Sequence, residues 1–333
     1  MMPGRDALNL RLLDEWQRDF PLKPRPFAVI GARFGMHETE VIDRFASLID
    51  ASAVTRIGAT LSPNTAGAST LAALAAPPER VETIAATIGA EPGVNHSYLR
   101  EHHWNLWFVA TGPDREAVRG SLARIARKTG QPVLDLPLLR PFVLDLGFPL
   151  DGGRARKIAC RVGDRTAIRP GDRAILQALT DGLPLVPRPF AAIGEALELA
   201  EAAVIERIGA LSAAGIISRF GVIVRHRALG WTSNAMVVWD VSHEEAGRAG
   251  PILAAEQGIT LCYERRPAPP AWPHRLFAMI HARSRAEAMA VLGRASAVAG
   301  LGEAPHAVLF SLRCFKQRGA LVDADRRMRE VMA

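Results

Sequence analysis

Apolar residues recur at helical spacing over LRLLDEWQRDFPL (Leu10–Leu22) and again over DRAILQALTDGLPL (Asp172–Leu185). Each stretch predicts an amphipathic helix stopped by proline. PFAVIGARFG (Pro26–Gly35) and PFAAIGEALE (Pro189–Glu198) follow as second helices, with Pro26 and Pro189 suited to a first turn. HETEVIDRFASLIDAS (His37–Ser52) and AEAAVIERIGALSAAG (Ala200–Gly215) read as third helices, the latter ending at a glycine fit for the left-handed C′ position. Three short helices and then an alternating strand, ISRFGVIVRH (Ile217–His226) in the second case, predict a winged helix-turn-helix.

Downstream the period switches between two and 3.6. TLAALAA, PERVETIAATIGA, VNHSYLRE, NLWFVATG, DREAVRGSLARIARKTG and PVLDLP run from Thr70 to Pro137. SNAMVVWDV, HEEAGRAGPILAAEQG, ITLCYER, HRLFAMIHA, SRAEAMAVLGRASAVAG and HAVLFSL run from Ser233 to Leu312. Both series read as βαββαβ, the ferredoxin-like order.

The two series are copies. RPFAVIG at Arg25–Gly31 returns as RPFAAIG at Arg188–Gly194, and over residues 25–58 the ungapped alignment keeps 14 of 34 residues, Arg56/Arg219 and Gly58/Gly221 among them. Chance gives roughly two matches at average composition. Further on, Tyr98-Leu99-Arg100 aligns with Tyr263-Glu264-Arg265, and Asn105-Leu106-Trp107 with Arg275-Leu276-Phe277. The fold class expected is therefore α+β, a tandem duplication of a winged helix-turn-helix followed by a ferredoxin-like domain. The boundaries expected are 1–55 and 56–150 for copy one, 151–170 for a linker at LDGGRARK, and 171–217 and 218–325 for copy two.

Composition narrows the class. Hydrophobic residues make up 49% and charged ones 23% of the chain, which excludes a disordered protein. Charges break the N-terminal apolar run, and no segment reaches membrane-spanning length, so neither a signal peptide nor a membrane partner is expected. Three distant cysteines, Cys160, Cys262 and Cys314, point to a reducing compartment, the cytoplasm. The net charge of +7 is carried by arginine, the lysines being Lys23, Lys128, Lys157 and Lys316. Arginine forks onto carboxylate or phosphate, so an anionic partner is expected, nucleic acid or a polycarboxylate. The third helices argue against nucleic acid: Glu38, Glu40 and Asp43 in one copy and Glu198, Glu201 and Glu206 in the other would face phosphate.

The candidate chemistry lies in REHHWNLWF, Arg100–Phe108, and its surroundings. By strand alternation His96, Tyr98, Arg100 and His102 share one face, and His103 points away. Tyr98 and Tyr263 are the chain's two tyrosines, each two residues before an arginine, Arg100 or Arg265. Trp107 and Trp272 offer flat apolar surface, as core or as pocket wall. No cysteine or acidic residue keeps zinc-ligand spacing with these histidines, so no metal of the protein's own is expected.

The helix-turn-helix plus ferredoxin-like order resembles the leucine-responsive/asparagine regulator family. NHSYLREHHWNLWFV and LCYERRPAPPAWPHRLFAMIHAR more specifically resemble the paired halves of siroheme decarboxylases, here fused in one chain. That resemblance implies removal of the C12 and C18 acetate carboxyls of siroheme, an eight-carboxylate iron macrocycle, to give 12,18-didecarboxysiroheme for haem d1 or alternative haem synthesis. It implies no added cofactor, since the macrocycle takes up the electrons left when carbon dioxide departs. His102 matches the histidine of an Arg-Glu-His motif and is expected as proton donor or iron-facing ligand, beside His96, Arg100 and Tyr98. Asn105, Trp107, His103, Tyr263, Arg265, Trp272, His274 and His281 are expected to bind substrate. His281 matches a Met-Ile-His motif, whereas His274-Arg275 replaces the family's Tyr-Asn. Copy two has Leu261 in place of His96, so copy one is expected to hold the principal site. Expected partners are siroheme and its products, with later haem d1 enzymes and a homo-oligomer left open and no specific DNA. A siroheme- or haem-responsive regulator is the competing reading, and a silent half of a larger complex a third.

Overall fold

The structure, a computed structural model, describes residues 6–144, 147, 150 and 162–323. Cys160 and most of the expected linker lie outside the described residues. Copy one consists of α1 (Ala7–Glu15), α2 (Pro26–Phe34), α3 (Glu38–Asp50), β1 (Val54–Leu61), β2 (Ala68–Leu74), α4 (Val81–Ala90), β3 (Val94–Arg100), β4 (Leu106–Gly112), α5 (Arg115–Thr129), β5 (Leu134–Leu136) and β6 (Leu138–Leu144). Copy two repeats the order as α6 (Asp172–Asp181), α7 (Pro189–Leu197), α8 (Glu201–Ala213), β7 (Ile217–Val224), β8 (Ser233–Trp239), α9 (His243–Ala255), β9 (Ile259–Arg265), β10 (Leu276–Ala282), α10 (Arg285–Ala299) and β11 (His306–Gln317). The α+β duplication stands as read from the sequence. Pro26 and Pro189 open α2 and α7, and Gly215 takes a positive φ of 71° after α8.

The copies interlock at two seams. The strand after each third helix pairs with its own counterpart: β1 and β7 run antiparallel with Gly58 opposite Gly221, the same repeat position, on the local twofold. Side chains there would collide with the other copy's first-helix region. A Cβ on Gly58 would lie 2.2 Å from the Leu179 carbonyl oxygen, and one on Gly221 2.4 Å from that of Gln17. Reciprocal bonds close the seam, Phe20 N–H to Phe220 O and Leu183 N–H to Ile57 O. One apolar core, with Phe27, Phe45, Phe190 and Val222, serves both helix-turn-helix modules.

The second seam joins the ferredoxin-like sheets into nine strands, ordered β5-β2-β4-β3-β11-β8-β10-β9-β6. β11 pairs with β8 over its first half and with β3 over its second, while β6 leaves copy one to pair with β9. Because β5 and β6 are separated only by Pro137, the sheet returns upon itself and encloses an inner layer. The expected boundaries at 56 and 218 therefore fall inside β1 and β7, strands that belong with the helix-turn-helix core. Residues 138–144, assigned to copy one, complete the sheet of copy two.

Candidate active site

Alternation along β3 places Tyr98 and Arg100 on the inner face, with Tyr98 opposite Trp107 of β4. The expectation that His102 continues this face is corrected. β3 ends at Arg100, and the chain bends through 101–104 because Arg100 N–H already bonds Asn105 O and closes the hairpin. His102 instead accepts Trp104 N–H at Nδ1 and sets its ring against Trp272, centroids 5.5 Å apart. The Arg100–Phe108 motif and its surroundings thus divide into two groups.

The first group faces the β1–β7 side. His96 stacks on Tyr98 at 6.4 Å, and the Arg100 guanidinium lies over the Tyr98 ring at 5.5 Å. Arg100 reaches across the seam to donate to Leu309 O of copy two at 3.2 Å. It is 6% exposed, its Nε is buried with no hydrogen-bond partner, and among the described residues no carboxylate forms an ion pair with it. Beyond Arg100 stands His281 of β10, close enough for the arginine to depress its pKa; its Nδ1 is 2.8 Å from the Thr260 hydroxyl. His226, just after β7, packs its ring 5.6 Å from His281. A line of side chains, His96–Tyr98–Arg100–His281–His226, therefore runs from one copy into the other.

Electrostatics make this line a place for an anion. Burial, reinforced by Arg56, pushes His96 down to about 4; burial, reinforced by Arg100, does the same to His281. Both are neutral imidazoles at neutral pH, not the ready acids that an ordinary histidine pKa would allow. Burial raises the Tyr98 phenol and the neighbouring Cys314 thiol, so both keep their protons. Burial pulls Arg100 below its ordinary value, and Arg56, from β1, down to about 10. Burial lowers Arg265 in the same way, whereas bonds to Glu91 and Asp172 raise Arg124 and Arg207. A buried cation without a counter-charge is costly, and a carboxylate entering the line would relieve it.

The second group fills the hairpin side. Trp107 and Trp272 are each 1% exposed and meet edge to face at 4.9 Å within the inter-sheet core, which leaves no free aromatic face. Of the two readings, wall or core, the structure places both in the core. His274 lies against Trp272 at 4.8 Å, and burial lowers both His274 and His102. His103 is exposed beside Trp104. Asn105 bonds Ala76 through both ends of its amide, accepting from N–H and donating to O at 2.8 Å each, and so orders the hairpin. Tyr263 and Arg265 repeat the Tyr98–Arg100 pair, with Arg265 at 4.5 Å over Tyr263 and donating to Leu136 O at 2.7 Å. Arg275 is held by Glu264, a buried carboxylate that also bonds Arg140.

Arg56, Arg225, His226, Thr260 and Cys314 join the first group without having been singled out from the sequence. Arg56 left a trace there as one of the repeat identities, Cys314 having been read only as one of three distant cysteines. The other four come from loops or strands far apart in the chain.

Comparison with known proteins bears on the domains. Residues 9–54 and 172–217 match the siroheme decarboxylase NirDL-like helix-turn-helix domain, and residues 66–142 and 228–316 the AsnC-like ligand binding domain. The siroheme decarboxylase NirDL subunit of Paracoccus denitrificans (strain Pd 1222) is 59% identical over 317 residues, covering 95% of this chain and 98% of that one. A crystal structure of the siroheme decarboxylase NirDL superposes with a TM-score of 0.66 at 25% identity, covering 97% of both chains. Another, in complex with an iron-uroporphyrin III analogue, gives 0.66 and 25% over 95% of both. With both halves of the duplication matched and nearly the whole chain aligned, this chain belongs to the siroheme decarboxylase NirDL family of carboxy-lyases.

Proposed function

We propose that this chain decarboxylates siroheme at the His96–Tyr98–Arg100–His281 line, removing the C12 and C18 acetate carboxyls to give 12,18-didecarboxysiroheme in haem d1 synthesis. The observation that carries the reading is Arg100, a buried cation lacking a carboxylate among the described residues and flanked by two neutral histidines. The macrocycle named for the related crystal complex is polyanionic and iron-bearing, and fits the same chemistry.

In each round the bond between the acetate methylene and its carboxylate carbon breaks. Carbon dioxide leaves, and the bonding electron pair passes into the conjugated ring. A proton then adds to the methylene carbon and leaves a methyl group. Two rounds release two molecules of carbon dioxide and consume two protons, with no net oxidation, so the balance calls for no separate redox cofactor. Arg100 supplies a fork that orients a carboxylate. The apolar surroundings strip water from the group that leaves. Proton delivery falls to a histidine. Although His96 and His281 are neutral in the ligand-free protein, a carboxylate-rich ring beside them raises their pKa values, since a near anion favours imidazolium. Substrate thereby charges its own acid.

DNA recognition has less support. Glu38 at the start of α3 is buried and ion-paired with Arg25, and Glu201 at the start of α8 with Arg188, so these helix ends present carboxylates already bound within the protein. No helix among the described residues is long and apolar enough to cross a membrane. Anaerobic incubation with siroheme, with product mass followed over time, tests the function. Two successive losses of carbon dioxide are expected. Tight siroheme binding without any loss, joined to nanomolar sequence-selective DNA binding at physiological salt, would favour the regulator instead.

A further inference from the structure

β1 belongs to the helix-turn-helix core, yet Arg56 on it leaves that core for the histidine line. Its stem passes Gly182, in the turn after α6: a Cβ on that glycine would lie 3.1 Å from Cβ of Arg56, so the missing side chain clears the way. The guanidinium has one long bond, Nη2 to Ala59 O at 3.4 Å. Its Nε is buried without a partner, and no ion pair to Arg56 exists among the described residues. Burial alone accounts for its lowered pKa, with no carboxylate contributing, while its charge helps keep His96 neutral.

A structural arginine with its Nε buried would be expected to fork onto a carboxylate, as Arg207 does on Asp172. Arg56 has the burial without the fork. We propose that Arg56 is a carboxylate-binding residue of the tetrapyrrole site, so that the helix-turn-helix half of the protein builds part of the pocket and is retained for that reason. The proposal rests on the siroheme reading above and deepens it. Its repeat counterpart gives the contrast: Arg219 lies beside Gly147 and Arg18, and the residue of copy two equivalent to His96 is Leu261. Arg56 therefore holds a substrate carboxylate next to a histidine, and Arg219 does not.

Arg56→Met separates a binding role from a structural one. Replacing an uncompensated buried cation by an apolar side chain of similar length should leave the Tm unchanged or raise it. Siroheme affinity, measured by absorbance titration, should fall about 10- to 100-fold, the scale of a charge-assisted bond. In the ligand-free variant the His96 resonance should titrate at higher pH, a change that loss of packing alone would not produce. Arg56→Lys should recover only part of the affinity, because an ammonium cannot span two oxygens; it also reads the proposal should the methionine variant fail to fold. Unchanged affinity in both variants, or a falling Tm with unchanged affinity in either, overturns the proposal. Arg100→Met in parallel distinguishes the failures. Loss of binding there with none at Arg56 removes Arg56 alone, whereas a parent chain that does not bind siroheme removes the functional reading as well.

Discussion

The two ferredoxin-like copies present the same frame with different contents. Leu71 pairs with both Val109 and Leu136, and its counterpart Met236 pairs with Met279 and Leu309, which sets the equivalences along the sheet. Tyr98 and Arg100 then match Tyr263 and Arg265, and each arginine donates across the seam to the equivalent carbonyl, Leu309 or Leu136. Around that frame the copies part. Where copy one has His96, copy two has Leu261, and where copy two supplies His281 to the line, the matching residue of β4 is Thr111. The Thr111 hydroxyl is engaged, donating to Gly93 O and accepting from Leu321 N–H. Asp135 acts on the charge of Arg265, while Val308 stands at the equivalent place near Arg100. Duplication preserved the buried arginine on both sides, each lowered by burial and without an ion pair among the described residues, and left the histidines on one. The asymmetry favours our proposal of a single productive site built by both copies.

The strongest test of that asymmetry converts one side into the other. His96→Leu and His281→Thr install the residues of the silent side, and each should slow single-turnover loss of carbon dioxide about 100-fold or more, the scale of a lost general acid or base. His102→Ala should cost less than about tenfold, since its ring serves the hairpin core. A dead His102→Ala beside an active His96→Leu would move the centre to the hairpin side. Next in size, Arg100→Lys should weaken siroheme binding about 10- to 100-fold, while Arg265→Lys, near a carboxylate already, should change it less than about threefold. Equal losses in titrations of the two variants would mean that both sides bind carboxylate.

Acid stability reads the same difference without substrate. His96 and His281 titrate at about 4 in the folded chain, below the ordinary 6.5 of an unfolded histidine. Above pH 6.5 both states are neutral and nothing is lost. From there down to about 4 the unfolded chain binds protons that the native one refuses, so stability falls, by up to about 3 kcal/mol per histidine. Below 4 these groups add no further slope. Urea unfolding at pH 7 and pH 4.5 should show a smaller drop for the His96→Leu/His281→Thr pair than for the parent; equal drops would place the acid-sensitive groups elsewhere. The smallest effect expected is at Asn105. Asn105→Ala loses both bonds to Ala76 and should lower stability by about 1–3 kcal/mol while leaving siroheme affinity within about twofold. A large affinity loss at unchanged stability would return Asn105 to the substrate.

Periodicity and repetition determined a great deal by themselves. The helix-turn-helix and βαββαβ orders, the duplication, and the recurrence of Tyr98–Arg100 at Tyr263–Arg265 are legible because local spacing and self-similarity are properties of the chain. So is the replacement of His96 by Leu261 in copy two. Sequence spacing fails where the chain leaves its period: alternation carried His102 onto the face of Arg100, but the hairpin bond from Arg100 to Asn105 ends the strand first. Burial is also nonlocal. Trp107 and Trp272 read equally as wall or core until the two sheets close on them, and the depressed pKa values of His96 and His281 arise only when that closure removes their water. Arg56 acts on His96 although β1 and β3 lie in different sheets, and Arg100 acts on His281 although β11 and β8 stand between β3 and β10. Pairings across such distances are chosen by packing and backbone hydrogen bonding over the whole sheet, and only the tertiary structure decides them.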